Sequence, residues 1–224
     1  GSEMCIRDRQ CLSESAPEQE VKEIVRLLCE GLDDLRIRSS DFEVLITTLF
    51  RNFPEIVLGE IFTGDDRERR LIDHLFKYRF GGTSPSLSSI PVDRLVAWCR
   101  GDQDRIVRVA AATCAYSTVE ASDIPLEHPK RVVLSASIKG LLEAAVDKQC
   151  IVDVMFAGIQ PMSWSSSLAD IIEIRAKAFA ELLEHPLAEV RNLAAERLER
   201  VELTVRRERQ REAQDQSRRE QRFE

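Results

Sequence analysis

Few residues in this chain have the type and spacing that catalysis or metal binding requires. The histidines are His74, His128 and His185. His74 has no His or Cys three or four residues away, so no second ligand shares its helical face. His128 and His185 both occur in Glu-His-Pro and read as helix starts. The cysteines (Cys5, Cys11, Cys29, Cys99, Cys114 and Cys150) form no C-x-x-C pair and have no His at ligand spacing. They read as reduced, small apolar residues, which fits a reducing cytoplasm. Asp33-Asp34 and Asp65-Asp66 read as helix starts or solvated faces, since paired-carboxylate catalysis would need convergence in space. No G-x-x-x-x-G-K-[ST], G-x-G-x-x-G or G-x-S-x-G pattern occurs, and Gly81-Gly82 alone is too little for a phosphate cradle. The expectation is no catalytic residue, no metal and no cofactor.

Two groups could bind rather than catalyse. Trp164 lies in the run Ser163-Trp164-Ser165-Ser166-Ser167, just before a helix cap. Such a Trp either folds back as a hydrophobic staple or stays exposed as an interface anchor. The second group is Arg206, Arg207, Arg209 and Arg211. From Glu199 onward there are eight Arg, six Glu and one Asp, a net +1. Glu202/Arg206, and Asp215 with Arg218 and Arg219, have the spacing of a solvated helix. That helix either frays toward its end or docks a partner through the four arginines. The interspersed acids disfavour nucleic acid.

The elements that must position these residues are helical. The 224 residues can form one large domain or two small ones, and 43% hydrophobic with 32% charged residues excludes a wholly disordered chain. No run of about 18 apolar residues occurs. Nine Gly and eight Pro are too few for a barrel or sandwich. The net charge of −7 opposes a protein whose main work is gripping phosphates. Arg outnumbers Lys, 26 to 6, which fits a GC-rich bacterial genome.

Capping signals precede apolar-periodic runs. Ser15-Ala16-Pro17-Glu18 leads into Val21, Ile24, Val25, Leu28, Leu32 and Leu35, and Ser40-Asp41-Phe42-Glu43 into Val44, Leu45, Thr48 and Leu49. Pro54, Asp65 or Asp66, and Pro91 open three more helices, and a sixth covers about 104–116. Residues 81–89 and 117–130 read as connections. A seventh helix is expected over 131–146, an eighth after Asp147, a ninth capped by Ser167 and a tenth from Pro186. The best strand candidate, Ile151–Phe156, could equally be buried helix.

Two windows repeat a pattern. Asp102–Ala112 and His185–Ala195 each carry Val-Arg followed by Ala-Ala: Val107, Arg108, Ala111 and Ala112 in the first, Val190, Arg191, Ala194 and Ala195 in the second. Pro186 opens the second window, whereas Gln103 stands in the corresponding place of the first. Arg108 and Arg191 are 83 residues apart, about twice a repeat of 40–47 residues. Here the chain resembles the HEAT-repeat (armadillo-like) superfamily, whose motif Pro-x-x-x-Val-Arg-x-x-Ala-Ala opens the second helix of a repeat. The resemblance implies an all-α solenoid of about five antiparallel helix pairs with a charged C-terminal helix. The Ala pair would allow close helix approach, the Val would pack inward, and the Arg would pair with an acid in the next repeat.

The expected organisation is a leader at 1–10, a helical repeat domain at 11–202 and a charged tail at 203–224. Gly1-Ser2 looks like a cloning scar, and Ser2–Arg9 resembles a translated sequencing adaptor, so the natural chain is expected to continue upstream. The expected function is a non-enzymatic interaction or scaffold module, the C-terminal part of a larger cytoplasmic bacterial protein. Its partner would be a protein or other domains of the parent chain, with no membrane role. Two alternatives are a HEAT-like DNA-glycosylase-type enzyme or nucleic-acid-binding module, and a dimerisation or regulatory domain. The oligomeric state stays open.

Overall fold

A computed structural model describes residues 16–77, 85–119, 131–161 and 164–221. The leader, Cys5, Cys11, Gly81-Gly82, His128, Ser163 and most of the 117–130 connection lie outside them. The described chain is mostly helical. It divides into two compact units: Gly1–Cys114 with Lys139–Val146, and Ala115–Ile138 with Asp147–Glu224.

The first unit contains α1 (Glu18–Asp33), a 3-10 turn (Ser39–Phe42), α2 (Glu43–Asn52), α3 (Pro54–Ile61) and α4 (Asp66–Ile72), the last running on into a wider π turn. After these come the short α5 (Pro85–Ser88), α6 (Val92–Cys99) and α7 (Gln103–Ala112). Packing links α1 to α3 and α4, α2 to α3 and α5, and α3 to α6, so three of these five pairs join helices three apart in the chain. The core includes Val25, Leu49, Leu58, Leu71, Leu95 and Ile106, all buried. Local chemistry sets several starts. The Asp65 carboxylate accepts the Glu68 N–H at 3.1 Å and Asp102 accepts that of Arg105 at 3.0 Å, each satisfying a helix-terminal donor. Pro54 occupies the first turn of α3, where its missing N–H costs nothing.

Several expectations here need correcting. Leu35 continues the apolar spacing of α1 but lies beyond the helix end, with φ +58° and 71% exposure. Ser40 caps nothing: the capping-box sequence forms the 3-10 turn instead, and α2 buries Ile46, Leu49 and Phe50 while Val44 is exposed.

The second unit begins with a two-stranded antiparallel ribbon. β1 (Tyr116–Val119) pairs with β2 (Arg131–Leu134), Ser117 opposite Val133 and Thr118 opposite Val132. The sixth expected helix therefore stops at Ala112 and the seventh loses its first turn to a strand. The β-branched residues of both segments favour a pleated, half-covered ribbon. Such a ribbon is marginal alone; here α10 (Leu168–Phe179) packs against β2, and the Arg175 guanidinium lies 4.6 Å over the Tyr116 ring.

α8 (Ala136–Ala144) passes from the second unit into the first. In the first unit its Gly140 lies so close to α6 that a Cβ there would overlap Val92 Cγ1. α9 (Lys148–Ala157) starts at Asp147, which accepts the Cys150 N–H at 3.2 Å. The ambiguous Ile151–Phe156 segment is thus helix. α10 starts at Ser167, whose hydroxyl accepts the Asp170 N–H at 3.1 Å. After a 3-10 turn at Ala180–Glu184 comes α11 (Ala188–Glu220), 33 residues that run unbroken through the expected domain boundary at 202/203.

Candidate functional site

The two Val-Arg windows occupy α7 and the start of α11, and they differ in use. In α7 the buried residues are Ile106, Val109 and Ala110, while Val107 is half-buried, Ala112 intermediate and Ala111 exposed. In α11, Val190 and Ala194 are fully buried and Ala195 is exposed. The arginines differ as well. Arg108 donates to Glu68 Oε2 at 2.5 Å, and that carboxylate also accepts the Gly64 N–H at 2.6 Å. Glu68 is a buried charge satisfied by a cation and a backbone donor, the condition under which burial is tolerated. Among the described residues Arg191 pairs with no acid in this way; it donates to the carbonyls of His185 at 2.6 Å and Pro186 at 2.8 Å, holding the turn that enters its own helix.

Three of the thiols, Cys29, Cys99 and Cys150, are held toward their protonated form. Burial pushes Cys29 up to about 12 and Cys99 up to about 11. Cys150 Sγ donates to Asp147 Oδ2 at 3.0 Å, which raises its pKa. Among the described residues no three His, Cys, Asp or Glu side chains gather as a metal set, and no helix is long and apolar enough to cross a membrane. Trp164 is 52% exposed, and Trp98 stacks beneath the Arg105 guanidinium at 4.5 Å.

The remaining concentration of binding groups is the distal half of α11. The inward seam of this helix follows Val190, Ala194, Arg197, Val201, Val205, Glu208 and Glu212, steps of three and four residues that keep one side facing the unit. Its last buried apolar residue is Val205. The seam continues past that point with acids, and Glu212 replaces apolar packing by capping. Its carboxylate accepts the Ser167 hydroxyl at 2.8 Å, the Leu168 N–H at 2.7 Å and the Ala169 N–H at 3.3 Å. These are the orphan donors at the start of α10, whose dipole also favours an anion. Partial desolvation pushes the Glu212 pKa up, but the hydrogen bonds from Ser167, Ala169 and Leu168 outweigh it and leave it below the ordinary glutamate value.

The four arginines singled out from the sequence do not act together. Arg209 is turned to α10, where it pairs with Glu173 and lies 3.6 Å from Asp170. Arg206 reaches Glu202 at 3.6 Å and Arg211 reaches Glu208 at 3.7 Å, within their own helix. Arg207 is exposed and forms no ion pair among the described residues. Beside α11, Phe156, Ile159, Ile172 and Val201 floor a groove of about 280 Å³, with Arg200 and Thr204 at its edge. Sequence reading missed both Glu212 and this groove; Glu212 carried no local signal, because its partners lie some 45 residues away.

Compared with family models, with curated proteins and with solved structures, the chain matches none.

Proposed function

We propose that this chain is a non-enzymatic interaction module built from serially stacked, HEAT-like helix pairs, serving as part of a larger cytoplasmic bacterial protein. One observation carries the reading. Within each unit, several side-chain links between different elements span 36–45 residues. In the first unit Asp33 binds Arg70 at 37 residues, Glu55 binds Arg94 at 39, and Glu68 binds Arg108 at 40. In the second, Glu173 binds Arg209 at 36, Asp153 binds Arg197 at 44 and Ser167 binds Glu212 at 45, while Arg175 reaches the Ile159 carbonyl at only 16. A chain of helix pairs, each fastened to the next, produces such a spacing, and it is close to the 40–47 residues of HEAT and armadillo units. Stacking of this kind leaves extended helix surfaces free, which is how repeat proteins bind.

The test is peptide display against the immobilised full chain. Enrichment of a family of binding peptides over a denatured-chain control is the expected result. Failure to enrich any peptide over that control would overturn the module reading.

A further inference from the structure

We infer that the lateral face of α11 and the adjoining groove form a docking site for an acidic peptide segment carrying one apolar anchor side chain. The inference rests on the module reading and names its surface and its partner's chemistry. Arg200, Arg207, Arg211 and Arg218 follow one another at seven, four and seven residues. At 3.6 residues per turn these positions fall within about 20° of a single line, and they span about 27 Å of helix. All four side chains are exposed. Their ion pairs are peripheral: Arg200 with Glu196 at 2.5 Å, Arg211 with Glu208 at 3.7 Å and Arg218 with Asp215 at 4.0 Å. Exposed pairs of this kind contribute little and exchange readily for a better-placed carboxylate.

The line is distinct from the inward seam, so Arg209, held by α10, is not part of it. At Arg200 and Thr204 it meets the groove floored by Phe156, Ile159, Ile172 and Val201. An apolar socket at one end of a row of guanidinium groups is complementary to a segment with one large apolar side chain and a run of acids. The 7-4-7 spacing further matches carboxylates on one side of a partner helix. Exposed Leu203, beside the line, adds apolar contact area. A phosphate backbone fits less well, because its charge is uniform along the strand and meets Glu196, Glu208 and Asp215 as well as the arginines, whereas a peptide can place its acids opposite the arginines alone.

Fluorescence anisotropy on the full chain tests this. The probes are a labelled 20-residue peptide with glutamates at 7-4-7 spacing and one phenylalanine, made with the phenylalanine at either end. Controls are its Gln-for-Glu counterpart, its Phe-to-Ala counterpart and a labelled 20-nucleotide single-stranded DNA. We expect one glutamate peptide to bind about tenfold or more tighter than the Gln peptide, with affinity falling as salt rises. R207E/R211E, with melting unchanged, should remove that advantage, and Thr204→Trp, which fills the groove, should remove the benefit of the phenylalanine. Equal binding of Glu and Gln peptides, insensitivity to R207E/R211E, or tighter binding of the DNA would each overturn the site. If display enriches peptides whose binding ignores R207E/R211E, the site fails while the module reading survives; if nothing is enriched, the module reading itself fails.

Discussion

Glu68 in the first unit and Glu212 in the second solve the same problem in different surroundings. Each is a carboxylate that accepts backbone N–H groups and ties its helix to another element some 40 residues away in the chain. Glu68 does so in the interior, its side chain only 8% exposed, facing Arg108. Glu212 does so at the surface, beyond the last buried apolar residue of its helix. The comparison shows that hydrogen-bond geometry alone does not set what such a link contributes. A buried carboxylate leaves its partners stranded when removed, whereas water reaches the partners of a half-buried one such as Glu212.

The largest effect that would break this contrast is expected at Glu68. Glu68→Ala leaves the partly buried Arg108 guanidinium and the Gly64 N–H without their acceptor, at a cost of about 3 kcal/mol. Thermal unfolding followed by circular dichroism should show a drop in Tm of roughly 10 °C for a chain of this size. A shift as small as that of Glu212→Ala would end the distinction. For Glu212→Ala the expected loss is about 1 kcal/mol, typical of a lost helix cap. It should be local: hydrogen exchange should quicken at Leu168, Ala169 and residues 206–220, with the amides of α9 unchanged.

Acid should reproduce the second variant without mutation. Because the folded pKa of Glu212 lies below its ordinary value, its contribution is fully present above that ordinary value. It is lost as the pH falls through the lower folded one. Protection factors at Leu168 and Ala169, corrected for the intrinsic exchange rate at each pH, should therefore fall over that acidic interval in the wild-type chain and not in Glu212→Gln. The smallest effect is expected from Arg209→Ala, which removes an exposed pair worth about 0.5 kcal/mol and should vanish in high salt. A larger, salt-insensitive effect would mean that the distal half of α11 is held by Arg209 rather than by Glu212.

Much of the local framework was legible in the sequence. Asp65, Asp147 and Ser167 each precede a helix and each cap it through a donor three residues on, so the signal and its satisfaction lie in one turn. The strands were not legible. Val132-Val133 reads as an apolar run that fits a buried helix; β-branching permits the extended form, and pairing with Ser117 and Thr118 selects it. Leu35 failed for a related reason: helical spacing continues on paper after the backbone has turned left-handed. The arginines of the tail were visible as charge, but charge count does not say that Arg209 faces α10 while Arg207 faces water.

The amino-acid order by itself determined that the described chain is helical, where most helices begin, and that its end is a charged helix, because capping and periodicity act over three to seven residues. Tertiary structure alone decided which carboxylate is buried, which face of α11 stays open, and that Glu212 closes the start of α10. Those outcomes depend on contacts between segments 40 or more residues apart, whose pairing no local pattern encodes.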